Sequence, residues 1–190
     1  MTDIEHPRPV EQYRSYLLLL ARMQLDVRPQ NQVDPSDIVQ QTLLEAHARR
    51  QQFAGDEAGF GAWLRKSLAN NICDAVRRLR RQKRDVARER SLEAGIEDSS
   101  SRLAGCLAAV QSSPSAAAAQ SEELLRLSDA LLALPDAQRE AVVLHHLQGW
   151  TLSEVAARLD RTDAAVAGLL HRGLRRLREL MSPLEQEEPR

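Results

Sequence analysis

Aromatic residues are scarce in this 190-residue chain: two Trp, two Tyr and two Phe, 3% of the whole. Any core must therefore be aliphatic, and the 43% of apolar residues is enough to build one, which excludes full disorder. Cysteine is nearly absent. Cys73 and Cys106, 33 positions apart, make no disulfide framework and no zinc spacing, which suits a reducing cytosol. Glycine is sparse at eight residues, and β-branched side chains are few in a chain rich in Leu, Ala, Arg and Glu, so helices are favoured over sheets. Long hydrophobic runs are missing too. Leu17–Ala21 falls far short of the ~20 residues that a spanning helix needs, and Asp3 and Glu5 stand where a signal peptide would be basic. The expectation is a cytoplasmic protein with no membrane contact.

A net charge of −1 hides a block pattern. Residues 62–90 hold ten Lys/Arg against three Asp/Glu, about +7; residues 91–140 hold three against eight, about −5; residues 161–180 hold five against two, about +3. Two basic stretches thus flank an acidic middle, and overall neutrality does not argue against a nucleic-acid partner. A solvated helix face is the bland alternative for either stretch.

The Ser/Ala-rich run within 99–120 reads as a flexible linker without a sustained apolar stripe. The expected organisation is all-α: a helical domain over 1–95, a linker over 96–120, a second helical domain over 121–182 and an acidic tail over 183–190. In the first domain Tyr13–Met23 forms a leucine-rich helix closed at Arg28-Pro29. Asp34-Pro35-Ser36 opens the next, with Asp34 as N-cap and Pro35 at the first helical position. Ile38, Val39, Thr42, Leu43 and Ala46 give it an apolar stripe. Leu64, Leu68, Ile72, Val76 and Leu79 then recur at helical steps, with Arg65, Lys66, Arg77, Arg78 and Arg81 mainly off that line.

The second domain reads as four helices. Glu122–Leu134 ends at Pro135, and Ala137–Leu147 stops at Gly149. Thr151-Leu152-Ser153-Glu154 is a capping box opening a short helix to Leu159. Thr162 caps a final helix carrying Val166, Leu170, Leu174, Leu177 and Met181. A short capped helix, a tight turn and a basic second helix follow helix-turn-helix grammar, although small bundles share it. Phe53, Phe60 and Trp63 beside a basic helix suit single-strand binding, where arginines neutralise phosphates and rings stack on bases. Phe60 and Trp63 equally suit a core anchor, and Asn70 either a base edge or helix packing.

Two stretches resemble a known family. Val33–Arg81, above all DIVQQTLLEAH at Asp37–His47 and FGAWLRKSLANNICDAVRRLRR at Phe60–Arg81, is similar to region two of the extracytoplasmic-function sigma factors of bacterial RNA polymerase. Leu134–Leu159 and the helix after it resemble region four. The resemblance implies that Asp37, Gln40, Gln41 and Glu45 dock on core RNA polymerase, with Gln41 replacing the acidic residue usual there. It implies that Phe60, Trp63, Arg65, Lys66, Asn70, Arg77, Arg78 and Arg81 recognise and melt the −10 element of promoter DNA. For the −35 element it points to Arg161, Thr162, Ala165, Ala167, Leu169, His171, Arg172 and Arg175. Ala167 and Leu169 stand where the family usually carries Lys and Arg, so fewer long donors reach guanine and the expected −35 reading is weak. An anti-sigma partner stays open.

Enzyme motifs are missing: no glycine-rich phosphate loop, G-x-S-x-G or H-E-x-x-H occurs, and no cofactor or metal is expected. His145 and His146, being adjacent, point about 100° apart on a helix and read as structural. Cys73 reads as a small core or boundary residue, with a redox role as the weaker alternative. Two rival functions remain at the level of residues: a helix-turn-helix regulator acting without polymerase, and a helical adaptor that binds protein alone.

Overall fold

The computed structural model describes residues 8–25, 33–50, 53, 56–80, 86–110 and 117–182, and among them it is all-helical, with no strand. A 3₁₀ turn at Val10–Tyr13 leads into α1, Arg14–Leu25, which buries Tyr16, Leu17, Leu19, Leu20 and Ala21. The closure at Arg28-Pro29 lies outside the described residues. In α2, Pro35–Arg49, the Asp34 carboxylate accepts the Ser36 amide at 2.8 Å and Pro35 occupies the first turn. Its buried face is Ile38, Val39, Thr42 and Ala46, with Leu43 at the edge. Helix α3, Glu57–Arg80, buries Leu64, Leu68, Ile72 and Val76. That spine matches the periodicity of the sequence.

The expected linker is where the sequence misleads. Val86–Val110 is one helix, α4, so residues 96–110 are helical rather than loose. Leu92, Ile96, Leu103 and Leu107 are buried in it at helical spacing, and Ser99 and Ser100 fill the intervening core-facing positions. Serine there resembles loop composition, but each hydroxyl is satisfied inside: Ser100 by the Tyr16 hydroxyl at 2.8 Å, Ser99 by Gln24 Nε2 at 3.0 Å. Next comes α5, Ala117–Leu132, which starts before the expected Glu122. Residues 111–116 and the acidic tail from 183 lie outside the described residues.

Helix α6, Asp136–Val142, passes into a single π turn over Val143–Leu147, in which the Gln148 amide reaches the Val143 carbonyl at 2.9 Å. Gly149, at φ +77°, ends the turn in the left-handed region. Arg139 reaches back to the carbonyls of Leu132 and Leu134, both at 3.3 Å, and so caps the end of α5. Helices α7, Leu152–Leu159, and α8, Asp163–Met181, complete the chain. Core residues run without a break from Leu17 and Leu20 of α1 through Leu68 and Ile72, Ile96 and Leu103, to Leu127 and Leu131 of α5. α5 packs on α1, while α8 packs on α6, α7 and α5.

Candidate nucleic-acid interface

With its stripe turned inward, α2 leaves Asp37, Gln40 and Gln41 exposed. Glu45 is half-buried; it accepts from Gln41 Nε2 at 2.8 Å and from Asn71 Nδ2 at 3.3 Å. The same Asn71 amide donates to Thr42 Oγ1 at 3.0 Å, so Glu45 is partly occupied in tying α2 to α3. Leu44 stands in this row at 60% exposure. Sequence reasoning missed it because Leu43 beside it completes the stripe; the signal was an apolar residue one step off the helical period. Asp34, Asp37, Gln41, Asn71 and Arg78 line a groove of about 460 Å³ between α2 and α3.

On α3 the expected side chains divide. Phe60 is fully buried, so of the two roles open to it the core anchor holds and base stacking is corrected. Its ring meets Tyr13 and Phe53 edge-on at 5.6 and 5.3 Å, stacks on Trp63 at 5.8 Å, and lies 3.9 Å from the Arg50 guanidinium carbon. Arg50 also ion-pairs with Glu57, whose carboxylate accepts from the Tyr13 hydroxyl and from the Arg8 amide at 3.1 Å. Burial alone would raise the Glu57 carboxyl, but these donors and the Arg50 charge outweigh it and hold it below the usual value. Burial and the neighbouring Glu57 push the Tyr13 hydroxyl up. Trp63 is only half-buried and, with Arg49, Phe53 and Phe60, lines a cleft of about 200 Å³. Arg49 was not anticipated.

Lys66 and Asn70, one turn apart, are exposed, as is Arg78. Arg77 pairs with Asp74 at 2.8 Å. Arg65 departs from expectation. Its fork is held by Glu97 of α4, at 2.7 and 3.0 Å, and its Nη1 donates to the Tyr16 hydroxyl at 3.3 Å. It is thus turned to α4 rather than offered to solvent, because the segment carrying Glu97 is helix and not linker. Arg81 lies outside the described residues.

At the other end, Thr151 Oγ1 accepts the Glu154 amide at 3.3 Å and the Glu154 carboxylate accepts the Thr151 amide at 2.7 Å, a complete capping box. The Thr151 amide and hydroxyl hold the Glu154 carboxyl below its usual value. Asp160, at φ 52° and ψ 53°, turns the chain. Thr162 then caps α8 by accepting the Ala165 amide at 3.2 Å. Ser153 donates to Asp163 at 2.9 Å, joining the starts of the two helices. Arg161, Thr162, Ala165, Ala167, His171, Arg172 and Arg175 are all exposed. Leu169 is half-buried and packs against the core, so only part of its side chain faces the surface: it lies one residue before buried Leu170, at the border of the inner stripe. Arg175 and Arg176 share Glu179, at 3.7 and 2.9 Å.

His145 Nδ1 lies 2.7 Å from the Trp150 carbonyl, and its ring meets His146 at 4.8 Å. Burial, with His145 second, lowers the His146 imidazole. Among the described residues no three His, Cys, Asp or Glu converge to hold a metal ion. Burial pushes the Cys106 thiol up to about 11, which makes it unreactive near neutrality. Among the described residues no helix is long and apolar enough to cross a membrane.

Comparison with known proteins gives two ordered family matches: Sigma-70 region 2 over residues 11–82 and Sigma-70, region 4, over residues 124–177. RNA polymerase sigma factor CarQ of Myxococcus xanthus is 32% identical over 81% of this chain and 78% of its own. ECF RNA polymerase sigma factor BldN of Streptomyces coelicolor is 28% identical over 76% of this chain and 50% of its own. Among solved structures, the sigma factor RpoE in complex with the anti-sigma factor NepR, from Bartonella quintana, aligns over 90% of this chain and 91% of its own. Its identity is 22% and its TM-score 0.34.

Proposed function

The chain belongs to the ECF group of the sigma-70 family, non-enzymatic subunits that bind core RNA polymerase and direct promoter recognition and transcription initiation, and from that premise we propose how its surfaces divide the work. A regulator working through its helix-turn-helix alone would match region 4 without region 2, and a protein-only adaptor would match neither, so both alternatives fall away. The exposed α2 row of Asp37, Gln40, Gln41 and Leu44, with Glu45 at its edge, docks the polymerase: acidic and amide groups around one apolar contact suit a basic, partly apolar helical surface. Lys66, Asn70, Arg77 and Arg78 follow the opened strand at the −10 element. The cleft of Arg49, Phe53 and Trp63 takes an extruded base, an aromatic ring face and a guanidinium plane being what a flipped base stacks on. In α8, Arg161, His171, Arg172 and Arg175 hold −35 phosphates, and Ala165 and Ala167 offer only small apolar contact to base edges. The stretches 1–95 and 121–182 carry the two kinds of contact and are joined through helix α4 rather than a loose linker, and the chain acts in the cytoplasm with its polymerase.

One observation carries this division most directly: α2 buries a full stripe yet leaves Leu44 in solvent beside three exposed polar side chains. A binding titration of core enzyme tests it. Leu44→Asp and Gln40→Ala weaken capture of the chain while its helical content and melting stay as before. Unchanged capture by both variants would place the docking face elsewhere.

A further inference from the structure

Glu97 and Arg65 make a two-bond fork, Nε to Oε2 at 2.7 Å and Nη2 to Oε1 at 3.0 Å. The two sides of this pair are unequal: the Arg65 side chain is 19% exposed and Glu97 is 59% exposed. The carboxylate is therefore the partner free to rotate into solvent, while Arg65 stays anchored by its bond to the Tyr16 hydroxyl. Along the same line, Glu93 and Glu97 of α4 and Arg65 and Lys66 of α3 line one shallow cleft of about 260 Å³. α4 itself is firmly seated. Ser99 and Ser100 bond to α1, and Gly95 approaches Gln24 so closely that a Cβ there would lie 2.8 Å from Gln24 Oε1. An acidic edge is thus held in register beside Arg65 and Lys66 of α3. The guanidinium fork fits a phosphate as it fits a carboxylate, with two parallel N–H donors to two oxygens.

We propose that Glu97, seconded by Glu93, stands in for a DNA phosphate on Arg65 and Lys66, so that an incoming strand gains Arg65 by displacing the Glu97 carboxylate. This rests on the reading of α3 as the strand-binding helix. Glu97 swings out, the strand phosphate takes the fork, and α4 keeps its place. The exchange makes strand binding by the free protein weaker and less salt-sensitive than the count of its basic residues suggests.

Fluorescence anisotropy of the full chain with a labelled, T/A-rich single-stranded oligodeoxynucleotide, at several salt concentrations, tests this. Glu97→Gln raises affinity roughly two- to fivefold, the scale of one partly exposed ion pair. It also steepens the log K against log salt slope by about 0.7, one further phosphate on a single strand. Glu93→Gln raises affinity as well, without touching the Arg65 fork, and decides the matter if Glu97→Gln melts early. Lys66→Ala in the unaltered background separates the two readings. If it leaves affinity unchanged, the assignment of α3 falls and the mask with it. If it weakens binding while Glu97→Gln and Glu93→Gln change neither affinity nor slope, the mask alone is overturned.

Discussion

Charge and exposure part company at single residues. Lys66, Asn70 and Arg78 are basic or polar and exposed, whereas Arg65, equally basic in the sequence, is tied to Glu97 and Tyr16. Nothing local distinguishes Arg65 from Lys66, because its partners lie 32 and 49 positions away. Phe60 teaches the same lesson: its composition suits a stacking platform, but Tyr13, Phe53, Trp63 and Arg50 enclose it. Replacing Asn70 with Ala, by contrast, removes an exposed side chain, so the expected outcome is unchanged melting with weaker opening of −10 DNA. Permanganate reactivity of thymines in a promoter complex reads that loss. Glu57 supplies a pH test. Its carboxyl is held below the ordinary 4.5, so its contribution to folding is complete above that value and is lost as pH falls through the lower folded-state value. Acid titration of melting temperature should therefore show a shallower decline below pH 4.5 for Glu57→Gln than for the unaltered chain.

Whole helices were legible wherever caps and periodicity agreed. Asp34-Pro35, the Thr151–Glu154 box and Thr162 each open a helix at the residue that the sequence indicated. Thr162→Ala should cost about 1 kcal/mol of folding stability, the value of one N-cap, and loosen the first turn of α8. Urea melting measures the first effect and duplex −35 binding the second. α4 was illegible for a physical reason: its core stripe runs through Ser99 and Ser100, and their burial depends on the Gln24 amide and the Tyr16 hydroxyl of α1, which composition does not reveal. Ile96→Ala checks the correction. A buried helix position loses roughly 2–4 kcal/mol on truncation, where a linker position would lose almost nothing.

Across the whole molecule, function was more legible than shape. Two motif-bearing stretches in the right order gave the family and its partners, and the matches over residues 11–82 and 124–177 agree. How the two halves meet was not written in either motif. It is set by α1, α4 and α5, whose apolar faces share one core between the regions. The proposed division of labour puts polymerase contact on α2, strand contact on α3 and duplex contact on α8, all delivered by one chain. Run-off transcription with purified core RNA polymerase and a genomic promoter library tests that claim most directly. Adding the chain should yield transcripts from a discrete set of starts, and Leu44→Asp or the paired Lys66→Ala and Asn70→Ala substitutions should each abolish them. Equal transcription from every template, with or without the chain, would contradict the account.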